Sequence, residues 1–208
     1  MGMKTDLKTT DLKKTVPSYA AASGRYDIID VPPLRYLAMD AEGAPEDASF
    51  GEAVGTVFAL AYAVKFASKR ELGRDYVVPP LEALWWADDP TSFTTERERG
   101  KWRSTALILL PDWIIDAMVA EAREACAAKV GPHAVARARV ETLVEGTCGQ
   151  TLYVGPFANE GPTIAALHLA IADAGLTLAG KHHEIYLSDM RRTAPEKLRT
   201  IVRQPAVP

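Results

Sequence analysis

From residue 25 onward the hydrophobic period of this chain changes in the same order twice: extended, helical, extended, extended. Residues 25–42 read as a strand interrupted at Pro32-Pro33, because proline has no N–H to give to a sheet ladder. Asp47 or Ser49 can cap the helix that follows. Residues 50–71 then carry Val54, Val57, Phe58, Ala61, Tyr62 and Phe66 at helical spacing, and Gly73 stops the run. Residues 75–87, broken by a second proline pair, and residues 101–110 are β-branched and aromatic and predict strands. A polar loop at 88–100 separates them. Pro111 and Asp112 open a helix to about Lys129, which Gly131-Pro132 closes. The second half then gives two strand pieces in 136–157, a helix at 160–175, and strands at 181–188 and 197–203.

Each strand–helix–strand–strand unit is too small for a core of its own, so the two must share one. The expected fold is α+β: duplicated modules whose two antiparallel sheets form a ligand cleft. Module one spans 25–110, a linking helix 112–130, and module two 136–205, all within a single domain. Residues 1–24 are polar, rich in Lys and Thr and without periodicity, and predict a flexible N-terminal arm.

Composition narrows the function classes. The 208 residues are 48% hydrophobic and 25% charged, with a net charge of −3. That balance is globular and offers no broad basic field, so direct nucleic-acid binding is not expected. Nor can residues 1–24 supply a helix-turn-helix. Cys126 and Cys148 are too few for a disulfide framework and read as reduced thiols. The sequence shows no apolar leader and no 18-residue uninterrupted apolar run, so a cytoplasmic protein without a membrane span is expected. It contains no HExxH, CxxC, GxGxxG, P-loop or GxSxG pattern, and neither a metal nor a cofactor is expected. The oligomeric state is left open.

Glu184 is the most informative position. In the strand HHEIYLS, His182, Glu184 and Tyr186 share one face and Ile185 and Leu187 the other. An acid in mid-strand belongs either to a face open to water or to a concave polar site. Glu82 holds the comparable place in VVPPLEALWW, where it shares a face with Leu84 and Trp86. A pseudo-two-fold between modules then brings Glu82 and Glu184 to one interface, where two acids can hold separated pKa values. Adjacent Trp85 and Trp86 must face opposite sides, so at least one of them faces a pocket, a partner or solvent. Trp102 lies on a neighbouring strand. Together with His182 these tryptophans are the candidate ligand-binding residues, suited to flat aromatic or cationic molecules.

The segments DYVVPPLEALWW (75–86), KWRSTALILLPDW (101–113) and GKHHEIYLSDMRRTAPEKLRTIVRQP (180–205) resemble the GyrI-like small-molecule-binding proteins. The resemblance covers about residues 25–205. It implies a duplicated fold with a cleft between halves, related to the effector-binding domains of multidrug-sensing regulators. In those domains an acid of the last module and surrounding aromatics bind cationic aromatic compounds, and Glu184 stands where that acid would be. It also implies a possible hydrolase, since some stand-alone members open the strained cyclopropane of DNA-alkylating compounds. On that reading Glu184, Glu82 and Tyr186 are the candidate catalytic residues. The alternatives are a non-catalytic drug-binding or sequestering protein, a ligand sensor, or a protein-interaction module.

Overall fold

The structure, a computed structural model, describes residues 9–88 and 99–208. Most of the polar loop expected at 88–100, and the first eight residues of the arm, lie outside the described residues. The strands are β1 (Thr10–Asp11), β2 (Asp27–Val31), β3 (Leu34–Glu42), β4 (Tyr76–Val77), β5 (Glu82–Trp86), β6 (Arg103–Leu109), β7 (Arg139–Leu143), β8 (Gly146–Val154), β9 (Thr177–Leu178), β10 (His182–Tyr186) and β11 (Arg199–Val207). The helices are α1 (Leu12–Thr15), α2 (Ala48–Ala67), α3 (Asp116–Val130), α4 (Pro132–Arg137) and α5 (Gly161–Asp173).

Both proline pairs fall where the ladder has to stop, between β2 and β3 and between β4 and β5. The linking helix starts at Asp116, later than its Pro111 signal, because residues 111–115 form a turn first. Helix α2 continues through one π-turn, Ser68–Leu72, and ends on Gly73, whose φ of 64° is left-handed. The whole helical stretch Ala48–Leu72 has the length and hydropathy (1.3) of a membrane span. Here Phe50, Ala53, Val57, Leu60 and Val64 bury its apolar stripe in the protein's own core.

The two modules are β3–α2–β5–β6 and β8–α5–β10–β11. Their strands join in one antiparallel sheet of order β2-β8-β11-β10-β5-β6-β3-β7, with β9 paired to β11. The order on either side of the β10–β5 pair is mirrored, so a pseudo-two-fold runs between those strands. Strands β7 and β8 sit toward opposite ends of this order, yet only Val144 and Glu145 separate them in sequence. Two residues span roughly 7 Å, so the sheet has to curl until its ends meet.

The curl gives the sheet an outer, helix-bearing face and an inner face. On the outer face α2 packs over β3 and β6, and α5 over β8, β9 and β11. Strands β5 and β10 are thereby left as the floor of a furrow between the helices. On the inner face Tyr36, Leu84, Leu107, Leu109, Leu152, Ile185 and Ile201 form a second core.

Residues 9–24 are not loose. Leu12 and Tyr19 are buried in that inner core, and Ser18 is buried beside them. Gln150 donates to the Ala20 carbonyl (2.9 Å), and Arg203 donates to the Ser18 carbonyl (2.7 Å). The expectation of a flexible arm is corrected here: the segment's few apolar residues have no period, yet Leu12 and Tyr19 are buried. It is a strap across the inner face, held by the Leu12 and Tyr19 side chains and by its backbone carbonyls.

Helix α5 sits directly on β8. A Cβ on Gly149 would lie 2.5 Å from Ile171 Cγ1 and 3.2 Å from Leu167 Cδ1. Gly149→Val is expected to cost about 1–3 kcal/mol by lifting α5, read as a lower denaturant midpoint. An unchanged midpoint would show that α5 is free to shift.

Candidate functional site

Register decides which candidates meet. Across the β10–β5 pair Glu184 lies opposite Ala83, and Ile185 opposite Glu82. Side chains directly opposite share a face. Glu184 therefore points to the outer furrow and Glu82 to the inner face. The expectation that the two acids converge is corrected here: the sheet stands between them. An offset of one residue is enough, since it exchanges the faces of a strand.

Inside the curl Glu82 belongs to a chain of buried charges. His183 Nε2 is 3.0 Å from Glu82, and His183 Nδ1 is 2.9 Å from Glu145. Arg203 donates to Glu145 (2.8 Å) and to Gln150 (3.2 Å). The hydroxyls of Tyr19 and Tyr36 both donate to Glu82. Burial works against the His183 imidazolium, but Glu145 and Glu82 outweigh it and raise His183 to about 9. Burial likewise works against the Glu145 carboxylate, but His183 and Arg203 hold it down at about 2. Two anions and two cations cancel, which makes the cluster tolerable in a dry interior.

The furrow holds a different chemistry. Glu184 is 8% exposed on its floor. His182 Nε2 lies 3.4 Å from Glu184 Oε1. Trp85 Nε1 donates to the Tyr186 hydroxyl (3.1 Å), which leaves the Tyr186 proton for Glu184. Burial and the Glu184 charge raise Tyr186 well above 10, so its hydroxyl stays neutral. Phe157 stands edge-on to Tyr186 (5.6 Å), and Trp102 and Phe50 pack on Trp85 (6.1 and 5.0 Å). One wall of the furrow is thus made of rings.

The other wall is polar and comes from α5. Burial first, then the Glu184 charge and a hydrogen bond to it, raise Glu160 to about 9. Near neutral pH Glu160 therefore keeps its proton. Glu160 sits at the N-cap of α5, and one oxygen, Oε2, is buried without a partner. His168 Nε2 and Thr151 Oγ1 on the same face are likewise buried without hydrogen-bond partners. Buried polar atoms are nearly always satisfied in native proteins, so these atoms on one face are suited to meeting a bound molecule.

Of the candidates named from sequence, Glu184, Tyr186, His182 and Trp85 come together in the furrow, and Trp102 backs Trp85. Trp85 is almost wholly buried and supports Tyr186. Trp86 faces the inner side, where the Lys181 ammonium lies 3.3 Å from its ring centroid. Glu160 and His168 were not foreseen, although Glu160, Ile164 and His168 follow the i, i+4, i+8 spacing of one helix stripe. Among the described residues no three His, Cys, Asp or Glu side chains are placed to hold a metal ion. A separate groove of about 840 Å³ runs between α2 and α3 beside Phe58, Tyr62 and Phe66. Its one carboxylate, Glu52, is paired with Arg137 at 2.8 Å.

Comparison with known proteins agrees with this architecture. No family model matches the sequence, and no curated protein does. A solved structure of an uncharacterized conserved protein from Listeria innocua is 33% identical, covers 96% of this chain and all of that one, and has a TM-score of 0.87. The chain belongs to the GyrI-like family. A hydrolase from Listeria innocua is 32% identical over 96% of this GyrI-like chain and all of its own, with a TM-score of 0.82. The C-terminal domain of EcmrR, 10% identical over 88% of this chain and 97% of that one, has a TM-score of 0.55 and shares the fold.

The shifted groups set the pH response. His183 lies above its ordinary 6.5, so its stabilisation is complete below about 6.5 and is lost as pH rises through about 9. Glu145 lies below 4.5, so its contribution holds above about 4.5 and is lost as pH falls through about 2. Glu160 lies above 4.5, so its cost grows from about 4.5 toward 9. The melting temperature is expected to peak between about pH 5 and 6 and to fall toward pH 9. Glu160→Gln should raise it at pH 8. Calorimetry giving a flat profile, or a lower melting temperature for Glu160→Gln at pH 8, would contradict these assignments.

Proposed function

We infer that this GyrI-like protein is a hydrolase that adds water across a strained ring in a flat aromatic molecule, a cyclopropane conjugated to a carbonyl. The observation that carries the reading is the Glu160–Glu184 pair: two hydrogen-bonded acids, with Glu160 raised to about 9, at the bottom of a ring-walled furrow. Hydrolysis of a strained ring needs one group to take a proton from water and another to give one to the departing electron pair. Glu184, ionised and held by Tyr186, takes the proton as water attacks the ring carbon. The C–C bond breaks, and its electrons pass through the conjugated system to the carbonyl oxygen. Glu160 protonates that oxygen. The product equals substrate plus one water.

The pair then resets within itself. After one turnover the proton sits on Glu184 and the charge on Glu160. Their hydrogen bond lets the proton return without exchange with solvent. The Glu160 carboxylate formed in the step lies at the N-cap of α5, where the helix dipole favours negative charge. Ring strain supplies driving force, so two acids suffice for the chemistry. The 32% identical relative that is itself a hydrolase supports the same class of reaction.

Turnover of a cyclopropane-bearing alkylator, followed by mass spectrometry for a gain of one water, tests the assignment. Glu184→Gln and Glu160→Gln are each expected to lower kcat by roughly 100- to 10,000-fold. Glu82→Gln acts from the other face and should alter stability more than rate. Wild-type rates in both furrow variants would overturn the roles given. Tight binding with no product would make the protein a sequestering one.

A further inference from the structure

Helix α5 carries a side chain that the acid pair does not use. His168 lies two turns beyond Glu160 on the same stripe of α5 and reaches the furrow beside His182. Its Nε2 is buried and has no hydrogen-bond partner. Burial, then His182, lowers its pKa, so it is a neutral imidazole. A buried imidazole nitrogen without a partner is costly, and a bound molecule that pairs with it removes that cost. The wall across the furrow carries the rings of Tyr186 and Phe157, so a flat molecule packed on them would turn its polar substituents toward α5 and His168.

We propose that His168 is a specificity-determining residue, binding a carboxamide on the edge of the aromatic molecule that occupies the furrow. Neutral imidazole has one donor and one acceptor nitrogen, and either tautomer leaves Nε2 needing a complement. A carboxamide offers both N–H and C=O and serves either. A plain hydrocarbon edge serves neither and leaves Nε2 stranded. A site whose buried polar group goes unpaired rejects a ligand that lacks the matching group. His182 borders the same subsite, with its Nε2 turned to Glu184 at 3.4 Å. The inference rests on the furrow being the ligand site but not on hydrolysis.

The test uses two probes of one shape, naphthalene-2-carboxamide and 2-methylnaphthalene. Their affinities for the whole protein are measured by tryptophan fluorescence and calorimetry. Wild type is expected to prefer the carboxamide about tenfold or more over the methyl compound, beyond the ratio set by their transfer from water. His168→Leu should abolish that preference and leave 2-methylnaphthalene binding within about twofold. His168→Gln, which keeps a hydrogen-bonding group, should retain part of it. If both probes bind and the ratio is the same in all three proteins, the role of His168 is wrong while the furrow and its acids stand. If neither probe binds wild type, both this inference and the furrow as an aromatic site fall. Loss of hydrolysis in Glu160→Gln with the probe ratio intact would separate the catalytic reading from this one.

Discussion

The balanced set of charges inside the curled sheet governs how everything else is placed. Glu145 sits in the two-residue link that forces the ends of the sheet together, and it is bound there by Arg203 and His183. Arg203 also holds the strap through Ser18, and His183 carries the chain of contacts on to Glu82. Removing one member would leave a charge in the interior with nothing to cancel it, which is the costly way to break such a set. Because His183 is committed to the inner face, the alternation of β10 sends His182 and Glu184 outward. The furrow's acid is aimed by the anchor behind it.

Burial penalises the charged form of any carboxylate, yet it has opposite results at two glutamates of this protein. Glu145 is buried next to Arg203 and His183 and lies at about 2. Glu160 is buried next to Glu184 and lies at about 9. The neighbours decide, and the sheet keeps the two kinds of neighbour apart. The inner face gathers cations with its acids and becomes a brace. The outer face sets acid against acid beside imidazoles and rings, the kind of setting in which carboxyl groups take on acid–base chemistry.

Much of the fold could be read along the chain, because α2, α5 and the strands around the proline pairs are set by local period and by residues that cannot join a ladder. Within β10 the sharing of a face by His182, Glu184 and Tyr186 was legible for the same reason. What lies over each face was not. The pairing of Glu82 with Ile185 depends on register between strands about a hundred positions apart, and a single step in it moves Glu82 from one side of the sheet to the other. The strap was not legible because Leu12 and Tyr19 follow no period, and the Ser18 and Ala20 carbonyls that also anchor it leave no side-chain pattern. Glu160 and His168 were masked by an otherwise ordinary apolar helix.

The bond between Arg203 and the Ser18 carbonyl joins positions 185 residues apart. At about 5–20 residues per second of synthesis, Ser18 waits roughly 10–40 s before its partner has been made. Glu82 and Glu145 meanwhile lack both cations that will neutralise them. During translation the interior of the sheet can be hydrated and acidic but not closed. Only once the last strand is made can Arg203 neutralise Glu145 and hold the strap through Ser18.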